Sequence, residues 1–431
     1  MEFLLNEEHV VLTSPKALAE VLLHKSYAFT KPFHLRNGLE RALGNGIIVA
    51  EGNDHIRQRK HLAPAFAFRH IKNLYPIFWG KSAEAIAAML TESQRGKAVD
   101  VGEWASRAML DIIGVAGLGK DFCAISDPDS ELNTMYRTVF MPNDASRFLD
   151  LAAIFVPFAI IRRLPVKRNY ELDQAISGIR NVVCDLVRRK RRQLAQGLEP
   201  DADILAVSIN SGGFEDEELV NQMMTLLAAG HETTATLMTW AVYHLCRHPE
   251  HQGRLHEEIR AHLPSPTNPR SSISAEEIDR LPFLNAVCNE VIRLSPAVPV
   301  TLRVATQDTS ILEQFIPKGT TIDIAPSGMN LSEKEWGEDA SFFKPERWLN
   351  PGCANSGGAR SNYALLTFLH GPRSCLGQGF AKAEFGCLLA ALVGRFQMEL
   401  LDPNFTPKTK IGITARPIEP LLVRVRALEG W

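Results

Sequence analysis

Apolar residues along this chain recur mostly at the three- and four-residue spacing of helices, with short alternating stretches in a few places. The pattern predicts a mainly α fold with small β-sheets (α+β). Strands are expected near the start, around residues 298–326 and near the end. Three helices stand out. The first opens behind Gly213 and Phe214 with Glu215, Asp216, Glu217 and Glu218 in its first turn, where carboxylates suit the helix dipole. It runs through LVNQMMTLLAAGHETTATLMTWAVYHLCRH to Pro249, about 33 residues and roughly 50 Å. Apolar on nearly every face, it is expected to cross the protein interior. The second, LPFLNAVCNEVIRL, is opened by Pro282 and closed by Pro296; the third, FAKAEFGCLLAALVGRF, follows Cys375.

Two places break the apolar pattern. In AAGHETT, a carboxylate in an apolar helix is costly, by at least several kcal/mol, unless paired or hydrogen-bonded. Gly230 beside it costs about 1 kcal/mol relative to Ala. Gly230 could make room for a flat ligand, with a threonine hydroxyl loosening the helix locally. Glu232 could equally be satisfied at an ordinary packing contact. HETTA is not a zinc-protease motif, because Ala235 stands where the second histidine belongs. On the second helix Glu290 and Arg293 share a face among Leu284, Val287, Val291, Ile292 and Leu294, and FKPERW offers Arg347 as a second guanidinium. The choice is between a surface ion pair and a buried Arg–Glu–Arg cluster pinning the loop before Cys375.

Composition narrows the partners. With 431 residues, 45% of them hydrophobic, the chain can bury a large core, and 47 basic against 49 acidic residues argues against a nucleic-acid partner. RRKRR at 188–192 reads as a solvated helix face ahead of any localisation role. The seven cysteines are scattered without C-x-x-C, so neither a disulfide framework nor a zinc ribbon is indicated, and a reducing compartment is expected. There is no signal-peptide pattern and no apolar run of spanning length. LAAIFVPFAII (151–161), followed by Arg162, Arg163, Lys167 and Arg168, reads as a membrane-surface patch, a lid over an apolar pocket or a core helix. In FLHGPRSCLGQG, Cys375 stands between glycines ahead of a helix, as either a small core residue or a ligand.

These stretches together carry a resemblance. FLHGPRSCLG resembles the F-x-x-G-x-R-x-C-x-G haem-binding signature of the cytochrome P-450 superfamily through Phe368, Gly371, Arg373, Cys375 and Gly377. AGHETT resembles its oxygen-activation motif, EVIR its E-x-x-R, and FKPERW its P-E-R segment, all in the family's order. The wording around Cys375 is most similar to eukaryotic microsomal members, filamentous-fungal ones in particular. The resemblance implies the P-450 fold, a long central helix over haem, as one haem-binding monooxygenase domain, residues 1–431. Such relatives begin with a membrane anchor, a proline-rich hinge, a first helix and a first strand; this chain is expected to begin at the second strand, HVVLTSP.

The resemblance also implies roles. Cys375 would be the axial thiolate and metal ligand of haem b, with Phe368 against the haem. Arg373, Arg59 and Arg303, together with His55, would meet the propionates. Ala229 and Gly230 would leave room for O2 and substrate, and Glu232 and Thr233 would deliver protons. Glu290, Arg293 and Arg347 would be structural. No dinucleotide fingerprint is present, so electrons from NADPH are expected through a flavoprotein reductase, with cytochrome b5 as a further donor. The implied pocket segments, 36–47, 140–165, 223–233, 297–302 and 410–414, are largely apolar, which implies an apolar small organic substrate and a place in secondary metabolism. The implied location is the cytoplasmic face of the endoplasmic reticulum where an anchor exists, with peripheral membrane contact through 151–168, and otherwise the soluble intracellular phase. The competing readings are a peroxide-using or isomerising haem-thiolate protein and a non-catalytic haem protein.

Overall fold

The computed structural model describes residues 8–140, 158–197, 203–268 and 271–431. Most of the apolar run at 151–161 therefore lies outside the described residues; from Phe158 to Arg163 the chain is a short helix. Two compact units are present, one of residues 1–32, 66–108 and 233–431, the other of residues 33–65 and 109–232.

The first unit contains the sheets. His9–Val11 runs parallel to Thr321–Ile324, which is followed by antiparallel Thr301–Ala305 and Phe29–Thr30. Alternation sets the two faces. Ile322 and Ile324 enter a core with Leu18, Val21, Phe29 and Leu366. Asp323, between them, meets His9 Nδ1 at 3.0 Å. A second sheet joins Val99–Asp100, Leu422–Ala427 and Phe396–Leu400. Helix Gln378–Arg395 is buried without a break from Ala383 to Gly394, as expected of a segment apolar all round. It packs on helix Tyr75–Ser93, where Phe78 and Phe380 meet edge to face at 5.0 Å.

Helix Pro282–Leu294 starts on a proline and is capped from a distance. Glu258 accepts from the amides of Phe283 and Leu284, both at 2.8 Å, which satisfies two donors a helix start leaves open. One turn before its end lies Glu290, with no exposure at all. Its Oε1 accepts from Arg293 Nη2 at 2.8 Å, the Lys344 amide at 2.9 Å and Arg347 Nε at 3.0 Å. Its Oε2 accepts from Arg293 Nε at 2.8 Å and Trp348 Nε1 at 2.9 Å. Burial alone would raise this carboxyl; the Arg293 and Arg347 guanidiniums and the Lys344 amide more than offset that and hold it below the usual carboxylate range. Arg293 Nη1 goes on to the carbonyls of Asn330 at 2.8 Å and Ala340 at 2.6 Å.

The cluster fastens the segment from Asn330 to Trp348, whereas the loop before Cys375 is fastened by other residues. Asn330 Oδ1 accepts from the Leu366 amide at 2.8 Å, and its Nδ2 donates to Arg293 O at 2.9 Å and Thr367 Oγ1 at 2.8 Å. Thr367 Oγ1 in turn donates to Ile292 O at 2.7 Å. An amide side chain donates and accepts at once, so one neutral residue joins helix and loop where an ionic group could not.

The second unit is built on helix Lys167–Ala195, which packs on Glu131–Phe140. RRKRR is not uniformly solvated. Lys190 is buried and pairs with Asp203 at 2.6 Å, and Arg191 donates to Phe214 O at 2.8 Å. Arg188, Arg189 and Arg192 are exposed. The central helix, Asp216–Arg247, is 32 residues long and contributes to both units, the division falling between Glu232 and Thr233. Within the second unit Gln222 Nε2 donates to Gln58 Oε1 at 2.9 Å, and Gln222 Oε1 accepts from the Ile47 amide, also at 2.9 Å.

Replacing Glu290 by Ala strands two buried guanidiniums and is expected to cost about 3–5 kcal/mol in urea unfolding, a loss below about 1 kcal/mol marking a surface-like pair. Because the carboxyl is held low, its contribution in the wild type is present above the ordinary carboxylate range and fades as pH falls through the depressed value. The acid limb of the stability profile should therefore flatten in Glu290→Gln.

Candidate functional site

The loop carrying Cys375 is locked by its backbone. The Cys375 amide donates to Phe368 O at 2.8 Å, that of Leu369 to Leu366 O at 2.8 Å, and that of Ser374 to Gly371 O at 3.1 Å. Closing this loop needs Gly371 at φ 77°, and a Cβ there would collide with the Leu22 carbonyl. Leu369 also takes a positive φ, 55°. Arg373 binds the loop to the sheet, its Nη1 donating to Phe29 O at 2.6 Å, with Tyr27 beneath the guanidinium at 5.8 Å.

Cys375 is exposed and lies just ahead of helix Gln378–Arg395, whose N-cap is Gly377. A helix start favours negative charge on such a sulfur. Cys387, on the same helix, and Cys288 are buried instead. Burial pushes the Cys288 thiol up to about 12 and raises that of Cys387 as well. The reading of Cys375 as a small core residue fails on its exposure.

On the central helix Met223, Met224, Leu227, His231, Thr234, Ala235 and Met238 are buried, whereas Leu226, Ala229, Gly230 and Thr233 are half-open. Those four follow the i, i+3, i+4, i+7 spacing of one helix face. This face is lined by small side chains. Gly230 has its own constraint, because a Cβ there would lie 3.1 Å from Ile113 Cδ1. Glu232 is half-buried, not the fully buried acid its apolar neighbours implied. His231, buried, turns its ring edge-on to Tyr136 at 5.6 Å.

The structure gathers Phe368, Arg373 and Cys375 in one loop, Ala229, Gly230, Glu232 and Thr233 on one helix, and Glu290, Arg293 and Arg347 in one cluster. Arg303 is separate, buried on strand Thr301–Ala305 with Nη1 donating to Leu302 O at 2.7 Å and Thr301 Oγ1 at 3.1 Å. His55, buried, and Arg59, half-buried, stand one turn apart on helix Gly52–Leu62 in the second unit. Sequence patterns missed Asn330, Thr367, Trp348 and Glu258. None has a spacing signal, since each acts across a long sequence separation.

The family model for Cytochrome P450 matches residues 1–423. The chain is 45% identical, over 99% of its length and 80% of the relative's, to cytochrome P450 monooxygenase sphH of Aspergillus fumigatus. It is 42% identical to cytochrome P450 monooxygenase FUM15 of Gibberella moniliformis, covering 98% of the chain and 80% of the relative. To cytochrome P450 monooxygenase ALT8 of Alternaria alternata the identity is 40%, covering 99% and 82%. This protein belongs to the cytochrome P450 family. It is a haem-thiolate monooxygenase, and the exposed thiol on a locked loop ahead of a helix fits such a group.

Gly371→Ala is expected to lose about 1–2 kcal/mol from the left-handed backbone alone, with the Leu22 clash in addition. Gly352→Ala, at φ 76° with open space around it, should lose only the backbone part. Equal thermal shifts in the two variants would remove the Leu22 contact as a constraint.

Proposed function

We propose that this monooxygenase inserts one oxygen atom from O2 into an apolar small organic molecule in secondary metabolism, acting as a single domain over residues 1–431. Cys375 carries this reading. It is an exposed thiol on a backbone-locked loop at a helix start, suited to hold iron as thiolate rather than to attack substrate. When bound, haem b supplies electron-rich iron at which O2 is reduced and cleaved.

Phe368 would pack against the haem once it is bound and limit solvent there, tuning the iron's potential. Arg373, Arg303, Arg59 and His55 offer the positive and donor groups that the propionates need. Ala229 and Gly230 keep side-chain bulk off the half-open face, leaving space for substrate. Half-buried Glu232 and the half-open Thr233 hydroxyl are the groups assigned to proton delivery. That acid–alcohol pair favours reductive oxygen chemistry over peroxide use, so electrons are assigned to NADPH through a flavoprotein reductase, with cytochrome b5 as a second donor. Among the described residues no helix is long and apolar enough to cross a membrane. Contact with the endoplasmic-reticulum surface is assigned to the 151–168 segment, where an apolar run meets basic residues.

The dithionite-reduced protein with carbon monoxide is expected to show the red-shifted Soret band of thiolate ligation, and Cys375→Ser to lose it. An imidazole-like spectrum in the wild type would overturn the Cys375 assignment. With reductase and a substrate found by spin-state screening, Thr233→Ala should release several-fold more hydrogen peroxide per NADPH consumed; unchanged coupling would remove Thr233 from proton delivery.

A further inference from the structure

Helix Gln378–Arg395 carries an acid that none of the roles above uses. Glu384 has no exposure, and among the described residues neither of its carboxyl oxygens has a hydrogen-bond partner of good geometry. On the central helix, Thr234 is also fully buried and its Oγ1 is likewise unpartnered. The hydroxyl is a polar neighbour of the carboxyl, and burial raises Glu384 well above the ordinary carboxylate range with Thr234 pulling it only partly back. Among the described residues no salt bridge reaches the carboxyl. On its own helix Lys382 is tied to Asn289 Oδ1 at 3.1 Å, and Cys387 lies one turn on. Buried Cys387 is the thiol that feels Glu384, with Cys288 of helix Pro282–Leu294 beside it, and burial raises both thiols, so neither supplies positive charge.

An isolated buried carboxylate is among the most costly groups a protein can hold, and neutralisation is the usual outcome. A carboxylic acid and a hydroxyl that lack protein partners form the polar surroundings in which internal water is bound. We infer that Glu384 is held as a neutral acid and that it and Thr234 bound an internal water site, a hydrogen-bonded tie between the central helix and the helix that follows the cysteine loop. This tie is independent of the ligand role of Cys375 and of proton delivery by Glu232 and Thr233.

The sign of its pH dependence follows. The folded protein keeps a proton that the unfolded chain gives up in the ordinary carboxylate range. The contribution to stability is full below that range and is lost as pH rises through the higher folded value.

Infrared spectra of the haem-loaded protein test it. At neutral pH the wild type should show a protonated-carboxyl C=O band that is absent in Glu384→Gln and displaced in Thr234→Val. The thermal midpoint of Glu384→Gln should decline less than that of the wild type as pH is raised from mildly acidic to alkaline. A wild type without the band at neutral pH, a band unmoved by Thr234→Val, or parallel pH profiles would each overturn the inference. Should Glu384→Gln not accumulate, the wild type and Thr234→Val decide the matter by the presence and displacement of the band.

Discussion

A carboxylate shut away from water has to be surrounded by donors, and Glu290 is the group on which the first unit depends. Five donors from Arg293, Lys344, Arg347 and Trp348 converge on its two oxygens. None of those donors is redundant, because each removes a charge or an N–H that would otherwise be buried unpaired. From Arg293 the constraint passes through Asn330 to Leu366 and Thr367, directly before Phe368. The position of the cysteine loop is therefore tied, through Arg293 and the neutral Asn330, to the cluster around Glu290. The loop's own geometry needs only a glycine and a few backbone hydrogen bonds.

The central helix shows the opposite strategy. Where Glu290 has a donor for each of its needs, the half-open stretch at Ala229, Gly230 and Thr233 carries little side chain. A helix interior with glycine gives up stability in exchange for access, and the surrounding stretches, buried on either side, hold it in place. The same helix reaches from this open face to fully buried Thr234 within one residue. Access and burial are thus separated by the angular step of the helix, not by distance along it.

Much of this was legible in the sequence because it is local. The central helix, the Pro282 start and the Cys375 helix were readable from apolar periodicity and prolines, and family motifs pointed to the Cys375 loop. Glu290 and Arg293 were readable as one face because they are three residues apart. What periodicity could not show was the partial exposure of Glu232, or polar residues that work at long range. Glu258 caps a helix 25 residues away, and Asn330 joins segments separated by 37 and 36 residues. Lys190 was misread with its arginine neighbours because its partner, Asp203, lies beyond the end of its helix.

The Arg373 anchor has a consequence for how this loop can tolerate change. Its guanidinium grips the main-chain carbonyl of Phe29, just as Thr367 grips that of Ile292 and Cys375 that of Phe368. Every residue has a carbonyl. Side chains at 29 and 292 can therefore be exchanged for others that pack comparably without cutting the fastening, whereas Arg373, Asn330 and Thr367 have no such substitutes. Mutational freedom around the thiol is one-sided: the side chains that grip are fixed, and the residues whose carbonyls alone are gripped are free to diverge.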